Sequence, residues 1–305
     1  MIDTVELKHC YRSLKCNDFQ NDWQHINRYG NPRWVLNPQK PEKLPHLTMI
    51  FTPNGLWHLY ARVSIPNLLF GHNSRLPNQS EVLNGLDLLG KFVESKSGNS
   101  FDPQSATVSA VDFVYDVPLG KETTVHRTVK HLSKRRLNRF WKCFIEELTL
   151  YFNSKGKRRT RQIRIYPKLP EVLSRKSSNE EAIQFARGVL RIENCFRHKR
   201  SIDSFVKEYS LEDSSANSIL KEKVAKQSIS RILKKLNFND AVCPTKDSTL
   251  NILLRKFKPL KAMKLLGFLR FVNERGLYFY KDEALGFSKD SYYRCIRDCS
   301  DAGVW

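Results

Sequence analysis

Tyr166 lies in Gln162-Ile163-Arg164-Ile165-Tyr166-Pro167-Lys168, directly after the basic run Lys155-Gly156-Lys157-Arg158-Arg159-Thr160-Arg161. Alternating side chains in an extended chain put Gln162, Arg164, Tyr166 and Lys168 on one face and Ile163 and Ile165 on the other. A phenol so placed sits where a turn rich in Lys155, Lys157, Arg158, Arg159 and Arg161 would hold a phosphate backbone. Two carboxylates occupy comparable settings. Asp112 is an acid among apolar neighbours in Val108–Val117, costly to bury unless something positive meets it. Glu193 shares a face with Arg191, Cys195 and Arg197 in Val189–Arg197, opposite Leu190, Ile192 and Phe196. If the three strands are neighbours, Asp112 and Glu193 are placed to share a divalent ion in front of Tyr166. The plainer alternatives stay open at this point: ion pairs with Arg191, an ordinary structural tyrosine, and a solvated basic turn.

These residues need a scaffold, and the chain punctuates itself into one. Short apolar runs between Pro, Asn and Gly turns predict strands at Asp3–Leu7, Leu47–Phe51, Trp57–Val63, Val108–Val117, Gln162–Tyr166 and Val189–Phe196. Helices are expected at Ser80–Glu94, Val125–Ser133 and Leu137–Leu150. Beyond residue 200 strand signals fade, and Ser214–Leu236 and Thr249–Glu274 carry Leu, Ile, Val and Phe at helical spacing. The reading is α+β: an antiparallel-sheet domain over 1–205, then a mostly helical domain over 206–305. Near the end, Ser288 could cap a short helix that buries Tyr292, Ile296 and Cys299, frees Lys289, Arg294 and Arg297, and stops at Gly303. This is similar to the second helix of a helix-turn-helix over 267–303, or to a plain bundle helix.

Composition narrows the partner. The chain has 52 Lys and Arg against 31 Asp and Glu, a formal net charge of +21, which repels itself unless a polyanion is bound. Nucleic acid fits best, through release of counterions from phosphates. No run nears the roughly 20 apolar residues of a membrane span, and the first residues lack a signal-peptide pattern. Hydrophobic content of 40% argues for a packed core over a disordered basic tail. The seven cysteines (10, 16, 143, 195, 243, 295 and 299) form no Cys-x-x-Cys pair, which fits reduced thiols in a cytoplasmic protein.

Taken in order, the segments resemble the gene II replication-initiator endonucleases of filamentous bacteriophages. Met1-Ile2-Asp3 opens similarly, and Pro66–Asn73 matches a Pro-x-x-x-x-Gly-His-Asn stretch. Val111-Asp112 matches an Ile-Asp strand, and Tyr166 and Lys168 match Tyr-x-Lys. Gly188, Arg191 and Glu193 match Gly-φ-φ-Arg-φ-Glu, where φ is hydrophobic, and Gly267–Gly303 is similar to the C-terminal region. Rolling-circle plasmid initiators share the Asp, Tyr-x-Lys and Arg-x-Glu strands more loosely.

The resemblance implies nicking and closing of one strand at a DNA origin in the bacterial host cytoplasm, with a host helicase and polymerase as possible further partners. It implies Tyr166 as a nucleophile that leaves a 5′-phosphotyrosine, and Lys168 as the group that eases its ionisation. It also implies Mg²⁺ or Mn²⁺ held by Asp112 and Glu193. The His-hydrophobic-His triplet common among rolling-circle initiators is absent; His46 and His72 are the substitutes, although His72 also reads as a turn residue. Asp116 does not match the family pattern and ranks below Asp112. Arg164 and Arg191 join the basic turn as candidate DNA contacts. The competing readings are a non-enzymatic DNA-binding regulator of a phage or plasmid and an RNA-binding protein. The second lacks an aromatic RNA-recognition motif, and neither explains why Tyr-x-Lys and Arg-x-Glu line up.

Overall fold

The computed structural model describes residues 1–14, 23–28, 31–36, 44–133, 141–154, 160–175, 180–236, 238, 246–275, 288–302 and 304. Ten strands form one antiparallel sheet: β1 (Ile2–Tyr11), β2 (Trp23–Arg28), β3 (Asn31–Leu36), β4 (His46–Phe51), β5 (Trp57–Ser64), β6 (Thr107–Pro118), β7 (Trp141–Glu146), β8 (Thr149–Ser154), β9 (Arg161–Pro167) and β10 (Val189–Phe196). Their order is β2-β3-β4-β5-β1-β6-β10-β9-β8-β7. The α+β reading holds, and each strand expected from the sequence is present. β6, β10 and β9 lie side by side, so the alternation seen in each segment adds up to one shared face.

The helices are α1 (Ile65–Phe70), α2 (Gln79–Ser97), α3 (Glu122–Leu132), α4 (Lys168–Leu173), α5 (Glu180–Ala186), α6 (Lys199–Glu208), α7 (Ala216–Ile219) and α8 (Glu222–Lys235). α2 starts at a capping box, in which Asn78 accepts from the Glu81 amide while the Glu81 carboxylate accepts from the Asn78 amide. Val82, Leu86, Leu89 and Val93 line its buried side and share a core with Val5, Leu7, Val111 and Phe113 of the sheet. α6 adds Phe205, stacked on Phe113 at 5.2 Å, and α8 adds Ala225 and Ile229. A buried hydrogen bond of 2.8 Å from Asn194 to Ser228 ties β10 to α8.

Those contacts move the domain boundary. One compact unit runs from Met1 to Leu236 and a second from Asn237 to Trp305. The boundary expected near 205 is therefore too early, because α6 to α8 supply the cover for the sheet's apolar face. The second unit contains helices Lys246–Lys256, Pro259–Arg275 and Lys289–Ala302, with Leu253, Leu265, Phe268, Tyr292, Cys295 and Cys299 in its own core. Ser288 accepts from the Ser291 amide at 3.2 Å, as the capping reading required. Cys295 is more deeply buried than Ile296 on that helix. Residues 276–287, where a helix-turn-helix would turn, and Gly303 lie outside the described residues.

The helix expected over Leu137–Leu150 is a correction. Residues 141–154 form the hairpin β7–β8, with Glu147 at φ 52° in its turn. Trp141, Phe144, Ile145 and Leu148 have helical spacing, but Phe144, Ile145 and Leu148 are exposed. The residues that pack are Leu150 and Phe152, at period two, opposite Ile165 and Ile163 of β9. Pairing with β9 outweighs a local helical pattern that has no apolar partner.

Gly188 precedes β10 and is needed for two reasons. Its φ is +64°, and a Cβ there would meet the Gly120 carbonyl oxygen at 2.5 Å. We expect Gly188→Ala to lose about 2–3 kcal/mol of stability, from left-handed backbone strain plus displacement of the Gly120 backbone. Denaturant unfolding of both proteins measures the difference; a loss within about 0.5 kcal/mol would contradict the expectation.

Candidate active site

Glu193 pairs across the sheet with Val114 on one side and Arg164 on the other, and Arg191 pairs with Asp116 and Tyr166. The side chains at these registers point to the face away from α6 and α8. Asp112, Arg164, Tyr166, Glu193 and Arg197 line a cleft of about 810 Å³ there, joined by Asp3, His46, Arg62, Tyr151 and Arg175. Asp112, Tyr166 and Glu193 are thus brought together from three adjacent strands, and His46 of β4 lines the same cleft.

Tyr166 is 9% exposed, and its hydroxyl donates to Glu193 Oε1 at 2.5 Å. Burial, then the Glu193 charge, push the phenol well above its ordinary pKa. It is held as a phenol at neutral pH, with a carboxylate oxygen in contact with its proton. Glu193 Oε2 meets Arg164 Nη2 at 2.8 Å, so both its oxygens are engaged. Asp112 Oδ2 lies 3.1 Å from Arg197 Nη2 and 3.6 Å from Arg164 Nη2. Burial raises the Asp112 pKa to about 6, against the pull of Arg197 and Arg164. These guanidinium partners answer the question that an acid among apolar neighbours raised.

Lys168 departs from its expected place. Proline cannot extend the ladder, so the strand stops at Pro167 and Lys168 opens α4. Its side chain is fully enclosed, and Nζ donates to Asn73 Oδ1 at 2.8 Å and to Glu171 Oε2 at 2.5 Å. Its hydrogen bonds fasten α4 to the segment after α1 and do not go to the phenol. Burial, then Arg191, lower its pKa to about 8 despite Glu171. An unfolded lysine near 10.5 binds its proton more tightly, so stability rises with pH between about 8 and 10.5. We expect the stability difference between the protein and Lys168→Met to shift by up to about 3 kcal/mol in favour of the unaltered protein over that window. Unfolding curves at about pH 7.5 and pH 10 read it; a pH-independent difference would contradict it.

Arg191 also differs from expectation. It is completely buried, with Nε and Nη2 donating to Asp116 at 2.7 and 2.6 Å and Nη1 to the Asn73 carbonyl at 2.6 Å. An enclosed guanidinium has no surface for DNA; it is a strut, and Asp116 is its partner. Arg161 faces the other side of the sheet, bonded to Asn194 and Glu208. Lys155, Lys157, Arg158 and Arg159 lie outside the described residues. Of the expected DNA contacts, the cleft contains Arg164, to which the structure adds Arg62, Arg175 and Arg197. Alternation already put Arg197 on this face; Arg62 had the same period-two signal in β5.

His72 sits away from the cleft, its Nδ1 accepting from the Ser74 amide at 3.2 Å, as a turn residue does. His46 does line the cleft, and burial, then Arg33 and Arg62, lower its pKa and keep the imidazole neutral. Among the described residues, no three His, Cys, Asp or Glu side chains gather into a metal cage. Asp112 Oδ1 is buried with no hydrogen-bond partner among the described residues. Magnesium-type ions are usually held by one or two carboxylates, with water and substrate phosphate completing the shell. Asp112 fits that mode as the single carboxylate; His46 lines the same cleft three strands away, on β4, and Glu193 is committed to Tyr166 and Arg164.

Comparison with known proteins settles the class. The family described as the N-terminal part of the phage gene II replication-associated protein matches residues 2–214, well over half the chain. The chain belongs to this family. The resemblance to gene II replication initiators is borne out, and with it the rolling-circle class of function. A rolling-circle replication initiator protein from Geobacillus stearothermophilus is similar at 12% identity and a TM-score of 0.35, covering 77% of this chain and 84% of that one. A likeness that distant adds nothing to the family assignment. No curated protein matches the chain. No described helix of this replication-associated protein is long and apolar enough to cross a membrane, and Cys10, Cys143, Cys195, Cys295 and Cys299 are free thiols.

Proposed function

We propose that the chain cuts one DNA strand at a replication origin with Tyr166 as nucleophile and reseals it by the reverse reaction. The observation that carries this is the hydrogen bond from the Tyr166 phenol to Glu193 at the floor of an arginine-lined cleft. Tyr166 Oη attacks the scissile phosphorus while Glu193 Oε1 takes the phenol proton. The bond from phosphorus to the 3′ oxygen breaks, and that oxygen takes a proton from water. The 5′ end stays on Tyr166, and the 3′-hydroxyl is left for a polymerase of the host. Arg164 and Arg197 face the phosphate oxygens on which charge builds. A Mg²⁺ or Mn²⁺ ion held at Asp112, whose Oδ1 has no hydrogen-bond partner among the described residues, would polarise those same oxygens.

Arg191 keeps a positive charge one strand from Tyr166 and draws the phenol's pKa down against the effect of burial. Lys168 positions α4 in this reading, and leaves proton transfer to Glu193. A regulator that only bound DNA would use the arginines equally well, but has no use for a buried phenol held on a carboxylate. Supercoiled or single-stranded origin DNA, incubated with the protein and Mn²⁺, separates the two. Cleavage is expected to leave protein covalently joined to the 5′ end on a denaturing gel. Binding to a verified origin without a nick or adduct would favour the regulator.

A further inference from the structure

The hairpin that replaces the expected helix puts two aromatic rings beside the reacting groups. Cross-strand pairing aligns Phe144 with Tyr151, Tyr151 with Arg164, and Arg164 with Glu193, one row across the polar face from β7 to β10. The Phe144 and Tyr151 rings stack with centroids 4.9 Å apart and planes 12° apart. Tyr151 lines the cleft, while Phe144 is 37% exposed on the edge strand β7. A core pair would be covered; this one ends the sheet. Strand spacing of about 4.8 Å puts Tyr151 one step from Arg164 and two steps from Glu193.

We infer that Phe144 and Tyr151 form a stacking platform for a nucleobase next to the scissile phosphate of single-stranded DNA. Arg164 and Arg197 supply charge for the backbone, and a flat aromatic surface one strand away supplies the neutral, sequence-tolerant part of single-strand recognition. A purely electrostatic cleft would hold any polyanion; base stacking makes it select an unpaired strand, whose bases have free faces. The inference rests on the nicking reading only for which nucleotide is held.

The test compares equilibrium binding of a short oligodeoxythymidylate with that of an abasic strand of equal length and charge. The full chain should prefer the base-bearing strand by about 10- to 100-fold, the range of one to two stacked bases. Phe144→Leu and Tyr151→Leu should each lose most of that preference and keep the abasic affinity; Phe144→Trp should retain it. Leucine variants that keep the preference would overturn the platform. So would equal losses on both strands, which would mean that the pair only maintains the hairpin. Tyr166→Phe should leave the preference intact, so a failure of nicking and a failure of stacking give different results.

Discussion

Replacing Glu193 by Gln is expected to slow covalent attachment to DNA by about 10² to 10⁴-fold while the protein stays folded and bound to its origin. Glutamine keeps the size of the side chain, and its carbonyl oxygen can still accept from the Tyr166 hydroxyl or from Arg164 Nη2. It has no charge and cannot take the phenol proton. The need for an acceptor is acute here, because burial, which the variant leaves in place, is the first cause that holds the phenol above its ordinary pKa. Glu193→Ala is the less informative variant, since it also leaves Arg164 without its closest carboxylate. Single-turnover adduct formation at saturating protein, beside filter binding of the same DNA, measures both quantities. Unchanged chemistry would mean that the proton leaves by another route; equal loss of binding and chemistry would point to a structural role.

Asp116→Ala should destabilise the first unit by about 3–5 kcal/mol, the usual cost of leaving a buried ion without its partner. Arg191 donates three hydrogen bonds, two of them to Asp116, from a site with no solvent contact. Removing the carboxylate leaves the guanidinium with the Asn73 carbonyl alone. Replacing Arg191 and Asp116 together by apolar residues of similar volume should recover much of the loss, because neither charge is then stranded. Denaturant midpoints of the single and double variants decide it. A single variant within about 1 kcal/mol of the unaltered protein would show that water reaches the site and that Arg191 is not a strut.

The polar face of the site was legible because strand periodicity is local. Asp112, Glu193, Arg164 and Tyr166 were each placed on the correct side of their own strand by alternation alone. The adjacency of those strands was not legible, since antiparallel partners are chosen by contacts far apart in sequence. Three misreadings follow from that limit. Period two states which way Arg191 points but not that Asn73 and Asp116 close over it. It carried Lys168 past Pro167 as though the strand continued, whereas α4 begins there. It gave no weight to β9 as a partner for Leu150 and Phe152, so exposed Phe144, Ile145 and Leu148 were read as a helix face. The early domain boundary has the same origin: α6 and α8 look like bundle helices until the sheet face that they cover is known.

The places of His46 and His72 have related reasons. A Gly-His-Asn turn is a local signal, and the structure contains the local bond from the Ser74 amide to His72. His46 offers no local signal, and only the order β4-β5-β1-β6 carries it to the cleft that Asp112 shares.

The central claim is the identity of the nucleophile, and isolating the DNA-linked peptide tests it most directly. Origin DNA trapped on the protein, digested with protease and nuclease and measured by mass spectrometry, should leave a 5′-nucleotide on the peptide that contains Tyr166. Tyr166→Phe should give no adduct under the same conditions. A nucleotide on any other of the eleven tyrosines, or an adduct that survives Tyr166→Phe, would contradict the account.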